Sequence, residues 1–356
     1  MDNSNQGKAF LKEDIAIFLR GLIIGKVLTL MVIGGLLWWL LKPESFRGNN
    51  SEATNLSIKS NSTASTFQSL ADVPTDSFNY GGSTTWAPIR QVVDAQILSA
   101  RPELQLQYLN PAQGSPGSSA GIRMLLDGQL DFAQSSRPLT DEEQAIAKAR
   151  GVKLEQRQIG IDGVAVVVNP ALNVPGLTVE QLQQIYLGKI TNWNQVGGPN
   201  LAIAAFSQPP DNADTTIFSN NSNSKNSELG SNVKYVSSTT DALRQLSKTP
   251  GGIYYASARA VVPQCSVKPL PIGRTPSDFV SPYRESLVSS AQCPRQRNQV
   301  NTEAIKNGSY PITSKLFVII KQNQGKQQKV GNAYANLLLT AQGQQAIEQA
   351  GFVGIR

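Results

Sequence analysis

The sequence predicts an α/β protein carried behind a single membrane-spanning helix, and three observations point there. From residue 78 to the C-terminus, short aliphatic runs alternate with helix-periodic segments, the pattern of strands joined by helical connections. Apolar residues make up 40% of the 356 positions and charged residues only 16%, which suits two domains' worth of core rather than one small one. Near the start, residues 21–41 form an apolar stretch interrupted by one lysine.

That stretch reads GLIIGKVLTLMVIGGLLWWLL. As a helix it would extend about 30 Å, enough to cross the hydrocarbon core of a bilayer. Lys26 stands near one end, where its stem can reach the headgroups, and Trp38 and Trp39 stand at the other, where amphipathic rings favour the interface. Lys8, Lys12 and Arg20 precede the span, so residues 1–20 are expected in the cytoplasm and the bulk of the chain on the periplasmic or extracellular side. A cleaved signal peptide is the alternative. Against it, Lys42-Pro43-Glu44-Ser45 supplies no small-residue cleavage site and no acceptor cysteine follows, so residues 21–42 are read as an uncleaved anchor in the cytoplasmic (inner) membrane. Residues 43–77, rich in Ser, Asn and Thr, read as a tether with too little apolar surface to fold.

In the exported part, strands are expected at residues 104–109, 163–168, 201–206, 233–237 and 315–320. Helices are expected at 89–100, 120–126, 141–150, 179–187, 240–248 and 330–350. Thr140 with Glu143, and Thr178 with Gln181, have capping-box spacing at two helix starts. The alternation predicts largely parallel sheets covered by helices on both faces.

Composition removes several chemistries. There is no histidine, hence no Ser-His-Asp or Cys-His catalysis and no HExxH zinc site. Two cysteines cannot build a four-ligand cluster. The net charge of +7 is scattered rather than gathered into a basic stripe, which argues against nucleic acid. No nucleophile–base pair, metal cluster or cofactor loop stands out, so the chain is read as a binding protein, without cofactor or metal, rather than an enzyme.

Three loops suggest what it binds. Gly81-Gly82-Ser83-Thr84-Thr85-Trp86-Ala87-Pro88, Ser115-Pro116-Gly117-Ser118-Ser119-Ala120-Gly121 and Ser135-Ser136-Arg137-Pro138 are small and hydroxyl-rich, and the first two lead into helices. Helix N-termini present unpaired N–H groups, small residues let an oxyanion approach the backbone, and hydroxyls add donors. Arg137 offers a fork for two oxygens. Singly, each loop is ordinary turn-and-cap chemistry, and Arg137 an ordinary solvated or salt-bridged arginine. Their succession is what points to an anion.

These segments also carry a resemblance. Residues 81–88 and the run SSAGIRMLLDGQLDFAQSSRPL at 118–139 resemble the binding loops of the periplasmic phosphate-binding proteins of ABC transporters. Residues 162–198, with the Leu-Thr-x-x-Gln-Leu helix and the Gly-Lys-Ile-Thr-Asn-Trp turn, are similar almost word for word, and the likeness continues to residue 353. It implies a two-lobed periplasmic-binding-protein fold with a hinge, lobe one being about 78–162 and 258–356 and lobe two about 163–257. It implies inorganic phosphate or a related oxyanion in the cleft and an ABC permease as partner. By position, Thr85 and Trp86 match the first loop's ligands, with Thr84 beside them. Ser118 matches the second loop, with Ser119 adjacent, and Ser136 with Arg137 the third. Trp193 reads as packing rather than ligand.

Just past residue 206 the likeness breaks locally. Where the family has an arginine and then Ser-Gly-Thr, this chain has Ser207-Gln208-Pro209-Pro210-Asp211-Asn212-Ala213-Asp214-Thr215-Thr216. Thr215 and Thr216 keep hydroxyls for the site, but two acids have entered near where an anion would sit. A second reading is therefore a scaffold or sensor domain of the same shape whose site holds another ligand or none. Cys265 and Cys293 fall in the exported part and are expected to form a disulfide, pinning a proline-rich, irregular insertion and contributing roughly 3 kcal/mol.

Overall fold

The computed structural model describes residues 66–209, 217–218, 229–289, 291–293 and 295–356. The expected membrane span, tether residues 43–65, and Thr215 and Thr216 lie outside these residues; the expected tether ends earlier than residue 77, since Phe67 is buried in a core and a strand begins at Asp76. Among the described residues no helix is long and apolar enough to cross a membrane.

The described chain opens with β1 (Asp76–Gly82), α1 (Ala87–Ala100), β2 (Leu104–Tyr108), α2 (Ser118–Leu126), β3 (Phe132–Ser135) and α3 (Asp141–Ala149). β1 lies between β2 and β3 and is parallel to both, as helical crossovers require. A long strand, β4 (Leu154–Val168), then leads to β5 (Leu177–Thr178), α4 (Val179–Tyr186), β6 (Ala204–Ser207), β7 (Lys234–Tyr235), α5 (Thr239–Leu246) and β8 (Gly252–Ser257). After α6 (Ala258–Val261) come β9 (Lys268–Leu270), β10 (Ile272–Gly273), β11 (Phe279–Val280) and α7 (Thr302–Lys306). The chain closes with β12 (Thr313–Lys321), α8 (Lys326–Leu338) and α9 (Ala341–Gln349). Both expected capping boxes form, at Thr140 and Thr178.

The main sheet runs β2-β1-β3-β12-β4-β8-β6-β7. It is mixed, not largely parallel as expected. β12 is antiparallel to β3 and β4, and β4 is antiparallel to β8 and β9. The physical reason is the return path: β12 brings the chain back between two strands laid down far earlier in the chain, and local periodicity carries no trace of that direction. The helix expected over 330–350 is two helices. Thr340 breaks it, its hydroxyl accepting the Gly343 N–H at 3.0 Å and capping α9.

Burial on β12 alternates. Leu316, Val318 and Ile320 enter one core with α1, α8 and α9, whereas Phe317 and Ile319 enter another with α2 and α3, the period-two signature of a strand covered on both faces. A further core gathers around Val164–Val168 of β4. β4 thus crosses from one set of cores to the other between Ile159 and Val164. Residues 258–312, expected with the first lobe, supply Ala258, Val261, Leu270, Ile305 and Tyr310 to the core around β4's second half. The cause is pairing: β9 zips onto β4, and β10 onto β5. The insertion expected to be irregular therefore contains short paired strands, and a Cys265–Cys293 disulfide closes it with Cα atoms 5.7 Å apart.

Candidate functional site

The first loop is shaped by close approach. Gly82 has φ +124°, and a Cβ there would sit 2.1 Å from the Gln134 carbonyl oxygen. A Cβ on Gly121 would meet the Gly82 Cα at 2.4 Å, so only glycine lets α2 rest against this turn. The turn aims Ser83 inward, its N–H donating to the Gln134 carbonyl at 2.8 Å.

Three hydroxyls from three elements then converge. Ser83 Oγ is 2.8 Å from Ser136 Oγ, just past β3. Ser118 Oγ, in the first turn of α2, accepts the Ser136 N–H at 3.2 Å and lies 3.4 Å from Ser136 Oγ. All three side chains are buried, so their hydrogen bonds form out of competition with water. Arg90 of α1 backs the cluster: its Nη1 donates to the Ser83 carbonyl at 3.2 Å and to Gln134 Oε1 at 2.9 Å, while the guanidinium lies 4.0 Å over the Tyr108 ring. The positive charge is thus held one layer behind the hydroxyls.

Thr84 and Thr85 open a recess of about 670 Å³ whose far wall includes Gln208, Ser237, Ser238, Thr239, Thr240 and Ser257. Nine of its described lining residues bear hydroxyls and none bears a carboxylate. Such a wall donates hydrogen bonds without repelling an anion.

Next to Ser257, outside the lining of the recess, lies an acid that sequence reasoning left out of the site. Asp162 sits on β4 where the strand crosses between cores, and it is buried. Burial pushes its carboxyl up to about 7, and the nearby Ser257 hydroxyl, too far or misaligned to bond it, and the Gly163 N–H only partly offset this. Ser257 lines the recess, yet neither Ser257 Oγ nor Asp162 Oδ2 completes a hydrogen bond. Across the ladder from Asp162 stands Ser314, whose hydroxyl donates to the Ser136 carbonyl. The orphaned pair is therefore one strand away from the serine cluster. The available signal was a lone acid opening an otherwise apolar run, Asp162-Gly163-Val164-Ala165-Val166.

Of the residues expected in the site, Ser118 and Ser136 are in the cluster, and Thr84 and Thr85 are on the recess wall. Trp86 does not present its ring: the indole is buried and donates to the Ser135 carbonyl at 3.1 Å. Arg137 does not offer a free fork. Its Nη1 and Nη2 grip Glu143 Oε2 and Oε1 at 2.9 and 2.7 Å, and Nη2 also donates to Ser119 Oγ at 2.7 Å. The reason is local, since Glu143 is the capping-box residue of α3, six positions on. Ser119 is accordingly an acceptor for Arg137. Trp193 packs as expected, buried and bonded through Nε1 to the Gly251 carbonyl.

A model of the PBP superfamily domain matches residues 61–342. This chain belongs to the PBP superfamily. Phosphate-binding proteins PstS are among its curated relatives. The one from Staphylococcus epidermidis is 28% identical over 275 residues, covering 76% of this chain and 77% of that protein. One from Staphylococcus aureus is 25% identical over 277 residues, covering 76% of each chain. Among solved structures, an ABC-type phosphate transport receptor from Vibrio cholerae aligns with TM-score 0.56 at 22% identity, over 78% of this chain and all of that one. A high-affinity periplasmic phosphate-binding protein solved with phosphate aligns with TM-score 0.54 at 17% identity, over 78% of this chain and 90% of that one. These likenesses place the fold: mixed α/β, of the periplasmic-binding-protein kind.

Proposed function

We propose that this PBP-superfamily chain captures phosphate in the recess beside the serine cluster and presents it to an ABC permease, with residues 21–41 as its membrane anchor. The observation that carries the reading is the convergence of Ser83, Ser118 and Ser136 from three elements onto one buried point, backed by Arg90. A dehydrated oxyanion needs many neutral donors and a fixed positive field, and the hydroxyl-lined recess with Arg90 behind the neighbouring cluster supplies both. Relatives named as phosphate-binding proteins make phosphate the oxyanion of choice.

In this reading the two sets of cores are lobes that close on the ligand about β4. Asp162 Oδ2 and Ser257 Oγ then gain partners from it, Asp162 accepting the hydrogen of a protonated phosphate oxygen.

Calorimetry of the purified chain with phosphate, sulfate, molybdate and arsenate tests this. Above pH 7, where Asp162 is ionised, phosphate and arsenate should bind and sulfate, which has no hydrogen to give Asp162, should bind at least ~100-fold more weakly. Heat from none of the four would move the chain to the scaffold reading. Retention of residues 1–42 in the mature chain, read by mass spectrometry, tests the anchor.

A further inference from the structure

A second charged recess, of about 580 Å³, lies beside the disulfide-closed segment. Arg259, Arg284, Arg295 and Arg297 line it, against a single carboxylate, Glu348. That carboxylate is shared with Lys306 at 3.9 Å. Among the described residues none of the four arginines has an ion-pair partner.

Three of them are instead oriented by one neutral acceptor each. Arg259 Nε donates to the Ala350 carbonyl at 3.0 Å, Arg284 Nη2 to Thr302 Oγ1 at 2.5 Å, and Arg297 Nη1 to the Pro263 carbonyl at 3.2 Å. The backbone under them is fixed. Tyr283 bridges Val300, Arg284 N–H donates to the Gln299 carbonyl at 2.9 Å, and the buried Asn298 takes the Val288 N–H at 2.9 Å. The Cys265–Cys293 bond ties the segment's two ends together. All four side chains are exposed, so water screens their mutual repulsion, and an anion entering the recess meets guanidiniums not engaged by a carboxylate among the described residues.

We propose that this recess is a second anion site, for a short phosphate chain of the pyrophosphate or tripolyphosphate class. Four guanidiniums against one carboxylate exceed the charge of a single orthophosphate, and planar guanidinium forks match phosphate oxygens in pairs. The volume falls within the range of about 300–1,000 Å³ typical of small-ligand sites, larger than one oxyanion needs. An acidic peptide fits less well, because Pro263 and the buried Val300 are the only apolar side chains on the described wall. Arg259 lines both this recess and the hydroxyl-rich one, so the two anion sites adjoin. The inference does not depend on what the hydroxyl-rich recess binds.

The test titrates the full chain with tripolyphosphate, with orthophosphate present in excess to occupy the other recess. Arg284→Ala/Arg297→Ala should weaken tripolyphosphate binding at least ~10-fold and leave orthophosphate affinity, measured separately, within about twofold. Arg284→Lys/Arg297→Lys, which keeps the charge and loses the forks, should fall between. Raising salt from 50 to 200 mM should weaken binding to the wild type more than to the alanine variant. Equal tripolyphosphate affinity in wild type and both variants would overturn the proposal, as would full displacement by orthophosphate or tighter binding of a short polyglutamate.

Discussion

Asp162→Asn should stabilise the protein at pH 8 and leave it nearly unchanged near pH 4. The carboxyl moves from an ordinary 3.8 to about 7 on burial, so the folded chain holds this proton more tightly than the unfolded one. Between those values the folded state binds more protons, and stability declines as pH rises. The contribution is complete below about 4 and gone once pH has passed 7. At ~1.4 kcal/mol per pH unit, the whole span amounts to about 4 kcal/mol. The groups facing Asp162 do not offset it: Ser257 and Gly163 offer only neutral donors, and Tyr310, itself raised, supplies no positive charge. Asparagine has nearly the same shape and no charge to bury. For a domain of this size each kcal/mol moves the midpoint by about 2 °C, so Asp162→Asn should melt about 8 °C above wild type at pH 8. Thermal melts of both proteins from pH 4 to pH 8, without phosphate, read the difference directly. A constant offset across that range would refute the reasoning, because it would mean that Asp162 does not change charge there.

Arg137→Ala should now act on folding rather than on the ligand. Urea unfolding should show a loss of about 1–3 kcal/mol, since Glu143 is left partly buried without its partner, while phosphate affinity stays within about threefold. Ser136→Ala removes the hydroxyl that meets both Ser83 and Ser118, and calorimetry should show phosphate binding weakened by about 10- to 100-fold with less than ~1.5 kcal/mol lost in a parallel melt. Reducing the Cys265–Cys293 disulfide should lower stability by about 3 kcal/mol, visible as a lower urea midpoint. It should also weaken tripolyphosphate binding more than orthophosphate binding.

Much of the architecture was legible because it is local. The capping boxes at Thr140 and Thr178 and the buried run Val164–Val168 depend on residues a few positions apart. The hydroxyl-rich loops were legible for the same reason, since Gly82, Ser118 and Ser136 each mark a turn or a helix start. What failed was long-range or was decided by competition. Arg137 has a carboxylate six residues away, Glu143, on which its guanidinium closes. The Trp86 ring had a core to fill. The helix expected at 330–350 hid a capping threonine inside an apolar period.

The sequence alone therefore determined several of the strands and helices, where hydroxyl-rich loops meet helix starts, and that no histidine chemistry operates, because each follows from spacing or composition. Only the tertiary structure decided that β12 returns antiparallel between β3 and β4 and that residues 258–312 join the second core. It alone set Asp162 beside Ser257 and gathered four arginines around one recess. Those outcomes depend on which distant surfaces lose water together, and burial of that kind has no period along the chain.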